Sequence, residues 1–161
     1  MTMIIDGTNG LTFNNATTQA SAGAVLQTVS AGLAIGQNST TSTSFVSSPL
    51  TVSITPKFST SKILIIANSV GLISSSSYVA KYTIYRNSTN LGSAQGMTFI
   101  GGGTNQDIPL SLSYLDSPAT TSSTTYTVYF SSSNASGTAY LGDTAGGVSP
   151  TSSITLMEIA G

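Results

Sequence analysis

The sequence predicts an all-β protein folded as a jelly-roll sandwich. Three observations lead to this prediction: short apolar runs that alternate with polar residues, regular spacing between the runs, and clusters of Ser, Thr, Gly and Asn in the gaps. Ser and Thr together make up about a third of the 161 residues. Alternation with a period of two is typical of strands with one buried face. Eight to ten such strands at even spacing are typical of a sandwich or jelly roll (roughly eight to twelve residues per strand and turn).

Residues 1–22 differ from the remainder of the chain. Apolar residues around Ile5 and Leu11 flank Asn9-Gly10, a dipeptide that favours a two-residue hairpin turn. A hairpin this small is marginal alone in water, so it must pack on its own domain, on other copies of the chain or on a host structure. We therefore predict an N-terminal attachment arm at 1–22 and a jelly-roll trimerisation domain at 23–161.

The strands of the second part follow one another at short intervals. We predict them at 25–30, 43–46, 50–55, 62–72, 78–86, 98–100, 108–115, 125–131, 138–141 and 153–159. Segment 62–70 is apolar on both faces and is predicted to be a central strand. The apolar residues of 22–37 also fit a helical spacing, but the glycines in that segment disfavour a helix, so we favour the strand.

The last predicted strand has apolar residues on both of its faces: Ile154 and Leu156 on one, Met157 and Ile159 on the other. A monomeric sandwich buries one face of each strand, so the second apolar face predicts a contact between subunits. We expect these four residues to lie in that contact. Glu158 is expected to reach solvent or one of the four cations.

The composition excludes several classes of function. The chain has no Cys and no His, which removes disulfides, thiolate metal sites and the Ser-His-Asp type of catalysis. Four basic residues are too few for nucleic-acid binding, and the longest apolar run, 63–67, is far shorter than the ~20 residues of a membrane span. Five scattered acids suggest no carboxylate pair. We expect a non-enzymatic protein with no cofactor, no metal site, no nucleic acid and no membrane insertion.

The scattered acids and bases have simple interpretations. Asp107, Asp116 and Asp143 are candidate Ca²⁺ ligands, although turn formation explains them more simply. The four basic residues all fall within 57–86, where we expect solvation or pairing with carboxylates across a subunit contact.

Seven segments together resemble the C-terminal domains of tailed-phage fibre and virion-surface proteins, which are common in marine and cyanobacterial phages. They are 7–13, 25–30, 54–65, 85–92, 114–121, 125–129 and 154–159. The resemblance covers nearly the whole chain. It implies a jelly roll like that of C1q and tumour necrosis factor, a tight homotrimer with the C-terminal strand near the three-fold axis, and no catalytic residue. It also implies a place on the virion surface after synthesis in the cytoplasm of a host bacterium.

The resemblance leaves two places on the virion open. Members of this family carry a long attachment region before the 7–10 element, whereas this chain begins almost at that element. We expect either a capsid decoration (cement) protein or a short fibre, attached to capsid or tail proteins by an apolar anchor. The anchor residues are Met3, Ile4, Ile5, Leu11 and Phe13.

A second function remains an alternative. A receptor-binding tail-fibre tip would recognise a glycan or protein of the host surface, with aromatic side chains as the contacts. Tyr78, Phe99 and Tyr140 are the candidates for these contacts.

Overall fold

The structure, a computed structural model, describes residues 4–6, 10–12, 18–19, 24–34, 36, 38–103, 106–142 and 150–161, and only the backbone at 4–6, 10–12, 18–19 and 33–34. The described residues form fourteen strands: β1 (Ile4–Asp6), β2 (Gly10–Thr12), β3 (Thr18–Gln19), β4 (Val25–Ala34), β5 (Asn38–Thr40), β6 (Val46–Ile54), β7 (Lys62–Ile73), β8 (Val79–Arg86), β9 (Thr89–Asn90), β10 (Thr98–Gly101), β11 (Ile108–Asp116), β12 (Thr124–Ser132), β13 (Ala139–Leu141) and β14 (Thr151–Ile159).

The eight main strands form two antiparallel sheets. The first sheet has the order β4-β14-β7-β11, and β13 pairs with the last residues of β7 and carries β5. The second sheet has the order β10-β8-β12-β6, with the short β9 on β8. Counted along the chain, the first sheet holds main strands one, eight, three and six, and the second holds five, four, seven and two. This is the strand order of a jelly roll, and the all-β jelly-roll prediction is confirmed.

The inward residues of the two sheets form one hydrophobic core. The predicted alternation holds in β12, where Tyr126, Val128 and Phe130 are buried. In β8, Tyr82 and Ile84 are buried as predicted, but Thr83 between them is buried as well. Strand β7 lies between β14 and β11, as predicted for a central strand. Val29 and Ala31 of β4 are partly buried against this core. The remaining core residues lie on β6, β7, β10, β11 and β14, chiefly Leu50, Ile63, Ile65, Ile100, Leu110, Leu112, Ile154 and Leu156.

Three local predictions differ from the structure. The helical alternative for 22–37 is wrong, because β4 pairs with β14 along its whole length. Residues 43–44 form a bend, and the two strands predicted at 43–46 and 50–55 are a single strand, β6, which begins at Val46. In the hairpin, Asp6 pairs with Gly10, so Gly10 belongs to β2 and is not part of a two-residue turn; β3 adds a third strand by pairing with β2.

A partly buried ion pair joins the two sheets at one end. The Arg86 guanidinium (β8) donates to both carboxylate oxygens of Asp116 (β11) at 2.9 and 3.1 Å, and the Tyr126 hydroxyl (β12) donates to the same carboxylate at 2.7 Å. Burial, and then the Asp116 carboxylate, raise the pKa of Tyr126 above its ordinary value. The predicted turn at Asp116 is wrong: it ends β11, and Arg86 pairs with it within one chain rather than across a subunit contact.

Tyr82 ties the sheets together in a second place. Its hydroxyl donates to the backbone carbonyl of Tyr140 at 2.6 Å, which connects β8 in the second sheet to β13 in the first. Burial raises the pKa of Tyr82. The close approach requires glycine on β7, because a Cβ atom at Gly71 would lie 2.5 Å from the Tyr82 hydroxyl oxygen.

Glu158 anchors the β6–β7 loop to the last strand. The prediction that it reaches solvent or a cation is wrong: its side chain is fully buried. One carboxylate oxygen accepts the backbone N–H of Lys57 at 2.7 Å, and the other accepts the Gln27 amide at 2.6 Å. Burial alone would raise the pKa of Glu158, but the Ser61 hydroxyl, the Gln27 amide and the backbone N–H groups of Lys57 and Phe58 hold it below its ordinary value of 4.5.

The substitution Glu158→Gln is expected to lower the free energy of unfolding at pH 7 by about 2 kcal/mol, because charge-assisted hydrogen bonds are lost and an amide N–H₂ faces other donors. Since folding lowers the pKa of Glu158, its charge stabilises the fold above pH 4.5, and this contribution is lost as the pH falls further. Urea unfolding at several pH values should show the gap between wild type and variant closing below pH 4.5. A constant gap would contradict this account.

Candidate functional site: the outer faces of the two sheets

The outer face of the first sheet carries a continuous group of apolar side chains, which we call the apolar patch: Leu64, Ile66, Leu115, Met157, Ile159 and Val25. Strand register brings its members together. Leu64 on β7 lies opposite Met157 on β14 and opposite Leu115 on β11, forming one row across three strands. Directly opposed side chains on one face are in contact range. Leu115 and Val25 are 49% and 58% exposed.

The surroundings of the apolar patch are polar but nearly uncharged. Ser113 and Thr155 lie opposite Ile66, and the Ser30 and Thr155 hydroxyls are hydrogen-bonded to each other at 2.9 Å. Among the described residues in these rows, Lys62, opposite Ile159, carries the charge. Contiguous exposed apolar patches on soluble proteins mark interaction surfaces.

The structure divides the four predicted axis residues into two pairs. Ile154 and Leu156 are fully buried in the core of their own chain, where Leu156 lies between Val29 and Ile65. They are not available for a contact with another copy. Met157 and Ile159 are half-buried on the outer face and belong to the apolar patch. Of the four predicted residues, these two remain candidates for the subunit contact.

The predicted attachment anchor is described in part. Met3 and Phe13 lie outside the described residues, and the backbone alone is described at Ile4, Ile5 and Leu11. Ile5 and Leu11 occupy opposite positions in the β1–β2 pair. The role of this segment in attachment stays a prediction.

A groove lies on the outer face of the second sheet, and we call it the aromatic groove. Its lining residues are Val79, Lys81, Gln95 and Phe99, and its volume is about 250 Å³. Phe99 on β10 lies opposite Lys81 on β8. Phe99 is 67% exposed, because the alternation of β10 sends Ile100 into the core and leaves Phe99 outside.

Further aromatic side chains continue from this groove across the sheet. The Lys81 ammonium lies 5.7 Å from the centre of the Phe45 ring, a cation–π distance. Phe45 meets Tyr85 edge-on with ring centres 6.3 Å apart, and Tyr85 stacks on Tyr129 at 3.9 Å. Ser131, opposite Lys81, has a buried hydroxyl with no hydrogen-bond partner in the described part of the chain.

Of the three aromatic residues predicted as ligand contacts, Phe99 alone lines the groove. Tyr78 packs beside Gly137, where a Cβ atom would lie 2.8 Å from its ring. Tyr140 lies in β13 between β5 and β7, and its carbonyl accepts the Tyr82 hydroxyl. The sequence patterns did not identify Lys81 and Gln95 as groove residues. The alternation of β8 predicts that Lys81 points outward, but it does not predict that Lys81 lies opposite Phe99.

The candidate Ca²⁺ ligands do not form a site among the described residues. Asp116 is paired with Arg86, and Asp143 lies outside the described residues. No group of three or more metal-ligating side chains occurs in the part of the chain that the structure describes. Within that same part, no helix has the length and apolar character needed to cross a bilayer.

Comparisons with known proteins find solved structures of low similarity to this chain. No family model matches the chain, and no curated protein matches it. A crystal structure of the infectious bursal disease virus VP2 subviral particle aligns at 16% identity and a TM-score of 0.38, covering 84% of this chain and 38% of that one. T=1 particles derived from the same virus align at 14% identity and a TM-score of 0.39, covering 84% and 37%.

The chain spans little more than a third of the length of these solved structures. Similarity at this level carries no argument about function, and the jelly-roll assignment rests on the strand order itself. The C1q and tumour necrosis factor form of the fold and the phage origin stay expectations.

Proposed function

We propose that this protein is a non-enzymatic structural protein of a bacteriophage virion, assembled as a homotrimer on the particle surface. The observation that carries the proposal is the apolar patch on the outer face of the first sheet. Its members come from β4, β7, β11 and β14, so it is a surface formed by four neighbouring strands of one sheet.

The occupants of the apolar patch are two further copies of the same chain. The chain has a net charge of −1 and 6% charged residues, so its surface offers little to steer or select a charged partner. An identical chain brings an apolar patch of its own, and burial of both removes apolar surface from water at about 25 cal/mol per Å². That the assembly has three subunits is taken from the resemblance to phage fibre and virion-surface domains.

Self-association would also protect so uncharged a chain from aggregation. A small domain with 6% charged residues has little electrostatic protection against aggregation. A closed trimer covers the apolar patch of each copy and leaves Ser- and Thr-rich surfaces outside. A stable interface of this kind buries about 800 Å² per partner.

Attachment to the particle is assigned to the arm at 1–22. A small hairpin that cannot persist alone in water is stabilised when it packs on a capsid or tail protein. The trimer then serves either as a capsid decoration protein or as a short fibre.

The experiment is immunogold electron microscopy of particles from the producing phage, using antibodies raised against the purified protein. Label spread over the heads is expected for a decoration protein, and label confined to the tails for a short fibre. Particles that carry no label, although the protein is present in the infected cells, would contradict a place on the virion surface.

A receptor-binding fibre tip is the second candidate. The observation that favours it is the exposed ring of Phe99 in the aromatic groove, on the sheet that does not carry the apolar patch.

A further inference from the structure

We propose that the aromatic groove binds a carboxylate-bearing oligosaccharide. The groove is open and mostly apolar, with two polar side chains at defined positions, as small-ligand sites commonly are. It lies on the second sheet, whereas the apolar patch lies on the first. The inference therefore does not depend on the trimer.

Phe99 supplies the apolar contact. Its ring is 67% exposed on a strand whose next residue, Ile100, is buried, so the backbone holds it in place while the ring faces solvent. A pyranose ring presents C–H groups on one face, and an exposed aromatic ring packs against such a face while the sugar hydroxyls stay hydrated. Val79, two strand positions from Lys81, extends the apolar floor of the groove.

Lys81 supplies the charge that selects an acid. Its ammonium lies over the Phe45 ring. Among the described residues, no carboxylate lies within ion-pair distance of Lys81, and the ion pair they form joins Arg86 and Asp116. A cation held against apolar surface is less screened than one in open water, so it attracts a ligand carboxylate more strongly. The charge complementarity favours an acidic sugar over a neutral one.

Gln95 supplies hydrogen bonds from a rigid turn. The Ser93 hydroxyl accepts the Gln95 backbone N–H at 3.1 Å and donates to the Gly96 carbonyl at 2.9 Å. Gly96 has a φ of 88°, and a Cβ atom there would lie 2.7 Å from the Tyr82 carbonyl oxygen, so the turn requires glycine. An amide on such a turn both donates and accepts, which suits sugar hydroxyls.

Two other acidic ligands fit the groove less well. A phosphate group is usually held by several converging donors or an arginine fork, and the lining here offers one lysine. An acidic peptide would add a strand along the free edge of β10, whereas Phe99 and Lys81 point to the face of the sheet.

The test uses the full chain and oligogalacturonate as the probe, with binding measured by calorimetry. Lys81→Gln and Phe99→Ala are each expected to weaken binding about tenfold or more, and about 1 M salt, with a Debye length near 3 Å, should weaken wild-type binding as well. Lys62→Gln, with the same charge change on the first sheet, and Phe58→Ala, another exposed aromatic, serve as matched controls expected to bind as wild type.

Equal binding of the carboxyl-reduced, neutral oligosaccharide would overturn the proposal. So would undetectable binding at millimolar probe, an equal loss in Lys62→Gln, or tighter binding of oligoglutamate than of the sugar. The same measurement on a Met157→Asp variant, which places a charge in the apolar patch to break the proposed trimer, separates this inference from the trimer. Groove binding is expected to persist at each site of that variant, whatever the oligomeric state of the wild type.

Discussion

Met157→Asp is expected to convert the trimer into a folded monomer. Met157 is half-buried at the centre of the apolar patch, opposite Leu64, and its side chain points away from the core. Three carboxylates brought into a dry interface would each carry a desolvation penalty of several kcal/mol. We expect the association constant of the trimer to fall at least about a thousandfold, or about 4 kcal/mol. The far-UV circular dichroism spectrum and the urea midpoint of the monomer should remain those of a folded β-sandwich.

The matched control for this variant is Ser123→Asp, which adds the same charge at an exposed loop position before β12. It should sediment as the wild type does. A Met157→Asp protein that remains trimeric would show that the outer face of the first sheet is not the subunit contact.

Leu156→Asp is expected to abolish the fold altogether. Leu156 neighbours Met157 in sequence but is fully buried between Val29 and Ile65. A carboxylate at this position has no partner and leaves the packing of both neighbours incomplete, so the cost should exceed about 4 kcal/mol, a large share of the stability of a small domain.

The measurement is near-UV circular dichroism and solubility after expression. The conservative variant Leu156→Met should remain folded, with a loss below about 1.5 kcal/mol. A soluble, folded Leu156→Asp protein would mean that β14 is in the opposite register, with Met157 and Ile159 facing the core.

The sequence patterns predicted the sandwich because period-two alternation is a local property. Tyr126, Val128 and Phe130 can be recognised as one face without knowing what covers them, and the structure buries all three. The same reasoning could not decide which face of β14 points inward, because both faces are apolar. That choice depends on the neighbouring strands β4 and β7, which pair with β14 from more than 80 residues away along the chain.

The polar contacts and the aromatic groove were beyond sequence reasoning for the same physical cause. In the sequence, Asp116 has the features of a turn former, and its place at the end of β11 beside Arg86 and Tyr126 is visible only in the fold. In the sequence, Glu158 has the features of a surface acid, because hydrogen-bond donors to its carboxylate come from the distant β6–β7 loop. Lys81 and Phe99 become neighbours through the pairing of β8 with β10, and no local pattern records that pairing.

The mass of the wild-type protein in solution tests the central claim most directly. Light scattering at micromolar concentration is expected to give about 49 kDa, three times the 16.3 kDa of one chain. A monodisperse species of 16.3 kDa, with Met157 and Leu115 open to solvent, would contradict the account.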